Sequence, residues 1–184
     1  MTVRVRAATP DDVDGIARVH VEAWRETYRD LVPADLLAGL SVADRAATWR
    51  RAFERPDPRS VLLVAEEGGA VAGFARAGPT RDALLATDAE IYAIYLLDRV
   101  KRRGVGRRLM AAVLAHLAGA GLASAGLWVL RDNAPARRFY EALGAAPGPE
   151  KAVSLLGRHP AVELAYRFAL DRPPAPGGGG STLR

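Results

Sequence analysis

The chain has 184 residues and a formal net charge of +5, from 26 lysine and arginine residues against 21 aspartate and glutamate residues. This length suits a single domain that buries a core of its own. Because the chain contains no cysteine, disulfides, thiolate metal sites and cysteine nucleophiles are excluded. The three histidines lie far apart in the sequence, so we expect no metal site.

The two ends of the chain carry little apolar sequence. The N-terminal segment has no apolar stretch of signal-peptide length, and nowhere do about 18 apolar residues follow one another. We therefore expect no membrane association and a cytoplasmic protein. Residues 171–184 are rich in proline and glycine, which predicts a flexible tail after a single domain over residues 1–170.

Apolar periodicity, helix caps and turn residues divide the chain into strands and helices. The predicted strands are Val3 to Ala7, Val61 to Ala65, Val71 to Ala77, Ala89 to Leu97, Gly126 to Leu130, Ala152 to Leu156 and Val162 to Leu170. The predicted helices run from Thr9 to about Tyr28, from Pro33, from Ser41 to near Phe53, through Leu109 to Leu117, and from Asn133 to Leu143. This order predicts a mixed sheet with helices on both faces, in the α/β to α+β range.

The most informative stretch is the basic loop that follows the central apolar strand. Lys101 to Gly106 reads KRRGVG and leads directly into an amphipathic helix. A helix N-terminus presents backbone N–H groups, and glycine lets a ligand approach the backbone closely. The loop therefore predicts an anion site, with a basic solvated turn as the alternative interpretation. A P-loop is excluded because Gly104 is not followed by the GK[ST] sequence of that motif. A dinucleotide-binding motif is only weakly indicated, because Leu109 occupies the position of the last glycine of GxGxxG.

The segment from Glu90 to Gly106 resembles the acetyl-CoA loop of the GCN5-related N-acetyltransferases, the GNAT superfamily, which reads Q/R-x-x-G-x-G/A after an apolar strand. Lys101 stands where that family usually has Gln or Arg. A second segment, Gly126 to Gly144, resembles the family's LWV…N…A..FYE.LGF motif, with Ala145 in place of its final Phe. The resemblance covers about residues 2–170. It implies the GNAT fold, a mixed, mostly antiparallel twisted sheet of about seven strands with helices on both faces.

This resemblance implies an N-acetyltransferase that moves an acetyl group from acetyl-CoA to a primary amine of a small molecule or protein. The amine would attack directly in a ternary complex, without a metal. The strand backbone would pair with the pantetheine arm, and the loop would hold the pyrophosphate. The implied acetyl-CoA contacts are Ile94, Tyr95, Leu96, Lys101, Arg102, Arg103, Gly104, Val105, Gly106, Arg107 and Asn133.

The resemblance also implies roles in catalysis. Tyr140 matches the general-acid tyrosine of the family, since a phenol with a pKa near 10 stays protonated at neutral pH and can donate to the leaving sulfur. Core packing is the alternative role of Tyr140. Glu90 is our candidate general base, with a solvated charge at the strand end as an equal alternative. A backbone N–H near Leu96 is expected to bind the developing oxyanion.

The amine acceptor is the least defined part of the site. The first helix offers Glu22, Trp24 and Tyr28, and the segment Thr80 to Asp88 adds carboxylates that favour a cationic amine. Helix packing is the alternative for the two aromatic residues. A non-catalytic acyl-CoA-binding module and a nucleic-acid-binding protein are the alternative functions, although the basic loop lacks the interleaved aromatic residues of the latter. The family is often dimeric, so the resemblance allows a homodimer.

Overall fold

A computed structural model describes residues 2–54 and 57–170 of the chain, so the predicted tail lies outside the described residues. The strands are β1 Val3–Ala7, β2 Val61–Glu67, β3 Ala70–Pro79, β4 Ala89–Leu96, β5 Ser124–Leu130, β6 Ala146–Leu155 and β7 His159–Ala169. The helices are α1 Val13–Tyr28, α2 Ala34–Ala38, α3 Val42–Glu54, α4 Val105–Gly119 and α5 Ala134–Glu141. A 3-10 turn at Pro10–Asp12 precedes α1.

The seven strands form one sheet in the order β1-β2-β3-β4-β5-β7-β6. Every neighbouring pair is antiparallel except β4 and β5. Successive residues of β2 point to opposite faces: Leu63 and Ala65 join a core under α4 and α5, whereas Val64 joins a core under α1 and α3. The predicted fold class, a mostly antiparallel sheet covered on both faces, is confirmed.

The central strands separate at their carboxyl ends. The described ladder between β4 and β5 has two pairs, Ala89 with Ala125 and Glu90 with Gly126, although both strands continue beyond it. β4 also carries a bulge, because Tyr92 is an extra residue between the partners of Arg76 and Ala77 on β3. A bulge bends its strand and increases the local twist. β4 and β5 therefore diverge and leave a cleft inside the sheet.

The last hairpin is longer than the sequence predicted. β6 begins at Ala146 instead of Ala152, and its pairing with β7 shifts register between Pro147 and Glu150. Proline and glycine normally argue against a strand, but an edge strand with a bulge tolerates them. Because β6 is the outer strand of the sheet, the Pro-Gly-Pro segment at 147–149 continues it.

A cluster of aromatic rings fills the core under α1 and encloses His20. The His20 ring stacks on Tyr95 with centroids 5.1 Å apart, and its Nδ1 accepts a hydrogen bond of 3.1 Å from Trp49 Nε1. Burial, with the nearby charge of Arg45, lowers the pKa of His20 to about 3. The folded protein therefore holds His20 neutral at pH values where an unfolded chain would protonate it.

We expect acid to destabilise the fold through His20. Its folded pKa lies below the unfolded value of about 6.5, so the free energy of unfolding falls as the pH drops from about 6.5 towards 3, at up to ~1.4 kcal/mol per pH unit. His20→Asn keeps an acceptor for Trp49 but cannot take the proton, so its loss of stability over this range should be shallower. Urea unfolding at several pH values measures this slope, with His159→Asn as the matched control. A His20→Asn protein that keeps the wild-type slope contradicts the prediction, whereas His159→Asn is expected to keep it.

Candidate active site

The cleft between β4 and β5 encloses a cavity with a volume of about 790 Å³. Its walls come from β4, β5, α1, the start of α4, α5 and the final hairpin. The Leu97 N–H donates to Ala72 O of β3, and N–H groups of successive strand residues point to opposite edges. The N–H groups of Ile94 and Leu96 therefore point away from β3, into the cleft.

One end of the cleft is formed by the loop before α4. Gly104 is the residue before the helix and has a φ of 75°, a left-handed conformation that glycine adopts without strain. A Cβ added at Gly104 would meet no atom within 4 Å, so the backbone there is open to a ligand. The N–H groups of the first turn, from Val105 to Arg107, have no carbonyl partner inside the helix, because such a partner would have to lie four residues earlier. This end of the cleft fits an anionic group such as a pyrophosphate.

The basic side chains of this loop have different surroundings. Lys101, Arg102 and Arg107 line the cleft. The ammonium of Lys101 donates 2.7 Å to Asp98 and 3.2 Å to Thr27 of α1, so it fixes the loop to that helix. Arg103 instead donates 2.7 Å to Glu67 at the end of β2, away from the cleft. Arg102 and Arg107 can thus meet a phosphate, whereas Lys101 borders the cleft with its ammonium bound to Asp98 and Thr27, and Arg103 lies outside the cleft.

The other cofactor residues from the sequence meet at the junction of α4 and α5. A Cβ at Gly106 would lie 3.2 Å from Phe139 and 3.3 Å from Leu96, both of which line the cleft. Asn133 is buried and caps α5, because its side chain accepts a hydrogen bond of 3.2 Å from the Ala136 N–H. Since Asn133 also lines the cleft, capping and ligand contact are compatible.

Tyr140 lies in the wall of the cleft on α5. It is 7% exposed, and burial, with the nearby Tyr95 hydroxyl, raises its pKa above the usual 10. The Tyr140 hydroxyl makes no hydrogen bond to other described residues, whereas the neighbouring Tyr166 hydroxyl donates to Glu141. Tyr140 therefore holds a proton at neutral pH and has no protein partner for it within residues 2–54 and 57–170.

Glu90 lines the cleft at the point where β4 and β5 begin to part. Its two carboxylate oxygens accept three hydrogen bonds from Arg81, of 3.0 Å from the backbone N–H, 3.1 Å from Nε and 2.7 Å from Nη2. The Arg81 guanidinium also lies over the Tyr92 ring at 3.8 Å. Arg81 therefore occupies three of the roughly four lone-pair positions of this carboxylate and leaves one on Oε1 for another donor.

The acceptor residues predicted on α1 divide into two groups. Trp24 and Tyr28 line the cleft as an edge-to-face pair with centroids 4.9 Å apart. Glu22 is exposed on the outer side of α1 and does not line the cleft. Asp88 binds the Ala123 N–H and the Ser124 hydroxyl, so it joins the β4 and β5 ends rather than facing an acceptor.

Further residues at the acceptor end were missed from the sequence. They are Lys151, Leu155 and Glu163, together with Trp128 of β5, whereas Arg81 lies in the segment Thr80 to Asp88 that the sequence indicated. A usable signal was the charge of Glu163 within the apolar run from Val162 to Leu170. The indole N–H groups of Trp24 and Trp128 are buried and lack a hydrogen-bond partner among the described residues.

Comparison with known proteins identifies the family. Residues 19–145 match the family model described as Acetyltransferase (GNAT) family. The chain belongs to the GNAT family. This GNAT protein is 38% identical over 140 residues to the uncharacterized N-acetyltransferase YuaI of Bacillus subtilis, covering 76% of this chain and 78% of that one. It is 34% identical over 132 residues to phosphinothricin N-acetyltransferase of Streptomyces viridochromogenes, covering 70% and 72% of the two chains.

A solved structure supports the same fold. The PaiA N-acetyltransferase of Thermoplasma acidophilum, in complex with coenzyme A, superposes with a TM-score of 0.68 at 17% identity, over 91% of this GNAT chain and all of the other. The family makes the protein an acyltransferase that transfers an acetyl group from acetyl-CoA to an amine. Within residues 2–54 and 57–170, no helix is long and apolar enough to cross a membrane. The same ranges contain no group of three His, Asp or Glu side chains placed to hold a metal ion.

Proposed function

We propose that the acceptor amine enters from the α1 side and reacts within the cleft in a ternary complex, with Tyr140 as the general acid. Acetyl-CoA supplies the thioester. The observation that carries this proposal is the position of Tyr140, a buried side chain in the cleft wall whose hydroxyl makes no hydrogen bond to other described residues. Its raised pKa keeps the proton available until a sulfur anion leaves.

The donor is positioned by backbone groups and two arginines. The first-turn N–H groups of α4, with Arg102 and Arg107, bind the pyrophosphate. The cleft edge of Ile94 and Leu96 binds the amide-bearing arm as an added strand would. The Leu96 N–H, which points into the cleft, is the donor for the oxyanion. Lys101 and Arg103 contribute by fixing the loop, with the Arg103 backbone left to face the phosphates.

Two carboxylates lie in the acceptor half, Glu90 and Glu163. Either could take a proton from the amine, and Glu90 stays a prediction because Arg81 engages both of its oxygens. Trp24 and Tyr28 form the wall that the acceptor contacts, whereas the exposed position of Glu22 offers no support for the contact predicted there. The cytoplasmic location and the homodimer suggested by the resemblance also stay predictions.

The test is a thiol-release assay with acetyl-CoA and a panel of amines, followed by mass spectrometry of each product. We expect a mass increase of one acetyl group on at least one primary amine, and release of one equivalent of thiol. Stabilisation by duplex DNA without stabilisation by coenzyme A, in a thermal unfolding measurement, would contradict the proposal.

Gly106→Val tests the donor half separately. A branched side chain there would press on Leu96 and Phe139 and displace them into the space of the ligand arm. We expect the Kd for coenzyme A, measured by calorimetry, to rise at least ~10-fold, or ~1.4 kcal/mol. Gly119→Ala is the matched control, because a Cβ there meets no atom within 4 Å. Equal affinity in both variants would place the ligand elsewhere.

A further inference from the structure

The charges of the acceptor half are almost fully paired with one another. Arg81 binds Glu90 through three hydrogen bonds, and the Lys151 ammonium donates 2.6 Å to Asp82. Among the described residues, the remaining carboxylate that lines this half is Glu163, whose nearest cation is Lys151 at 3.6 Å, beyond hydrogen-bond distance. Because Arg81 neutralises Glu90 and Lys151 neutralises Asp82, the negative charge of Glu163 is available to a ligand.

Glu163 reaches the cleft because of the strand order. β7 lies between β5 and β6, and Glu163 pairs with Leu130 on one side and Lys151 on the other. Its side chain is 23% exposed, so it is accessible from the cleft but shielded from bulk water. A carboxylate in this position can receive an ammonium group that approaches along the cleft.

The walls around Glu163 are mainly apolar and aromatic. Trp24, Tyr28, Trp128 and Leu155 surround the space into which an acceptor would extend. The Lys151 ammonium lies 3.9 Å from the centre of the Trp128 ring, which places a positive charge at the same wall. An amine with one ammonium and an apolar body matches these walls, whereas the further charges of a polyamine would meet no other unpaired carboxylate among the described lining residues.

We infer that Glu163 receives the ammonium of a singly charged, apolar acceptor amine and accepts the proton that this amine must lose. The inference rests on the proposed function, because it concerns the amine that attacks acetyl-CoA. Glu163 takes one proton from the ammonium, and the neutral nitrogen then forms the N–C bond as the C–S bond breaks. Tyr140 gives its proton to the sulfur and recovers one from the nitrogen. Glu163 finally releases its proton to water, so one proton is produced per acetyl group.

The surroundings of Glu163 fit this role. Burial raises its pKa above that of an ordinary glutamate, Lys151 opposes the rise, and Asp82 and Glu90 add to it. The hydroxyls of Tyr28 on α1 and Tyr95 on β4 are the other titratable groups that face it. A carboxylate whose pKa moves towards neutral is a better proton acceptor for an ammonium than a fully solvated one.

The acceptor arm of the test compares apolar monoamines with a polyamine. We expect the full-length protein to acetylate 2-phenylethylamine and hexylamine with a kcat/KM at least ~10-fold above that for spermidine at the same pH. A preference for spermidine would overturn the inference while leaving acetyl transfer intact. If no amine is acetylated by the wild type, the proposed function itself fails.

A second experiment measures kcat/KM against pH with the best monoamine, to test whether Glu163 accepts the proton. Glu163→Gln should lower kcat/KM by ~100-fold at neutral pH, and the deficit should shrink as the pH rises towards the pKa of the amine. Glu163→Asp should recover part of the rate. Lys151→Met removes the cation that favours ionised Glu163, so the acid limb of the profile should move to higher pH.

Glu90→Gln tests the other candidate proton acceptor. Glu150→Gln is the control, since Glu150 lies on β6 outside the cleft. Thermal unfolding of each protein checks that it is folded. A Glu163→Gln profile parallel to that of the wild type would overturn the inference, as would an acid limb that disappears only in Glu90→Gln. If Glu163→Gln does not fold, an unmoved acid limb in Lys151→Met overturns it instead.

Discussion

Tyr140→Phe is expected to lower kcat by ~10²–10⁴-fold, or about 3–5 kcal/mol of activation free energy, while the protein folds normally. Only the hydroxyl is removed, and it makes no hydrogen bond within the described residues, so the ring contacts with Phe139 and Tyr166 remain. The Kd for acetyl-CoA should change by less than ~2-fold, because the interaction forms as the sulfur leaves. Steady-state assays and calorimetry measure the two quantities.

Tyr166→Phe is the matched control for this experiment. Tyr166 is a fully buried tyrosine whose ring centroid lies 5.9 Å from that of Tyr140, but its hydroxyl donates to Glu141 instead of facing the cleft. Its kcat should stay within ~3-fold of the wild type even if stability falls by ~1 kcal/mol through the lost hydrogen bond. An unchanged kcat in Tyr140→Phe would remove Tyr140 from the mechanism. Equal losses in both variants would indicate a packing effect.

Phe74→Ala is expected to cost about 3–5 kcal/mol of unfolding free energy. Phe74 is fully buried on β3, with its ring edge-to-face with Trp49 at 4.9 Å and 5.7 Å from Tyr95. Removal of the Phe74 ring leaves a cavity among the rings of His20, Trp49 and Tyr95. These rings cannot all move to fill it. A loss of this size in a protein of this length corresponds to a fall in Tm of ~10 °C.

Urea denaturation measures this loss, provided that the m-value is unchanged. Leu84→Ala is the control, because Leu84 is 48% exposed and its truncation should change stability by less than ~0.5 kcal/mol. Since Tyr95 belongs to both the ring cluster and the cleft wall, kcat of the Phe74 variant should also fall. A Phe74→Ala protein as stable as Leu84→Ala would show that the cluster repacks.

Much of the fold was predictable because local signals agreed with the tertiary structure. Ser41 was recognised as a helix cap, and its hydroxyl accepts a hydrogen bond of 3.2 Å from the Asp44 N–H. The nearly unbroken apolar run at Ala89–Leu96 identified the central strand, as expected for a strand covered on both faces. The glycine loop and the start of α4 followed from the same stretch of sequence.

The site was less predictable where it depends on contacts between distant segments. Arg103 was expected at the phosphates, but its side chain binds Glu67, which lies 36 residues earlier, and no local pattern shows this choice. Glu163 and Lys151 were missed because β7 inserts between β5 and β6, an order that chain sequence alone does not dictate. The proline-containing start of β6 concealed Lys151 further, since those residues suggest a loop.

Because the ladder between β4 and β5 is short, the candidate active site lies between two contiguous halves of the chain. The first half, through α4, provides the backbone edge of Leu96 and the phosphate loop. The second half, from β5 onward, provides Asn133, Tyr140 and Glu163, which line the cleft and are the groups proposed to fix the ligand and hold protons. Neither half carries a complete site, so their relative position sets the distance between donor and acceptor. The packing of α4 against α5, where Gly106 meets Phe139, therefore helps to set the geometry of the site.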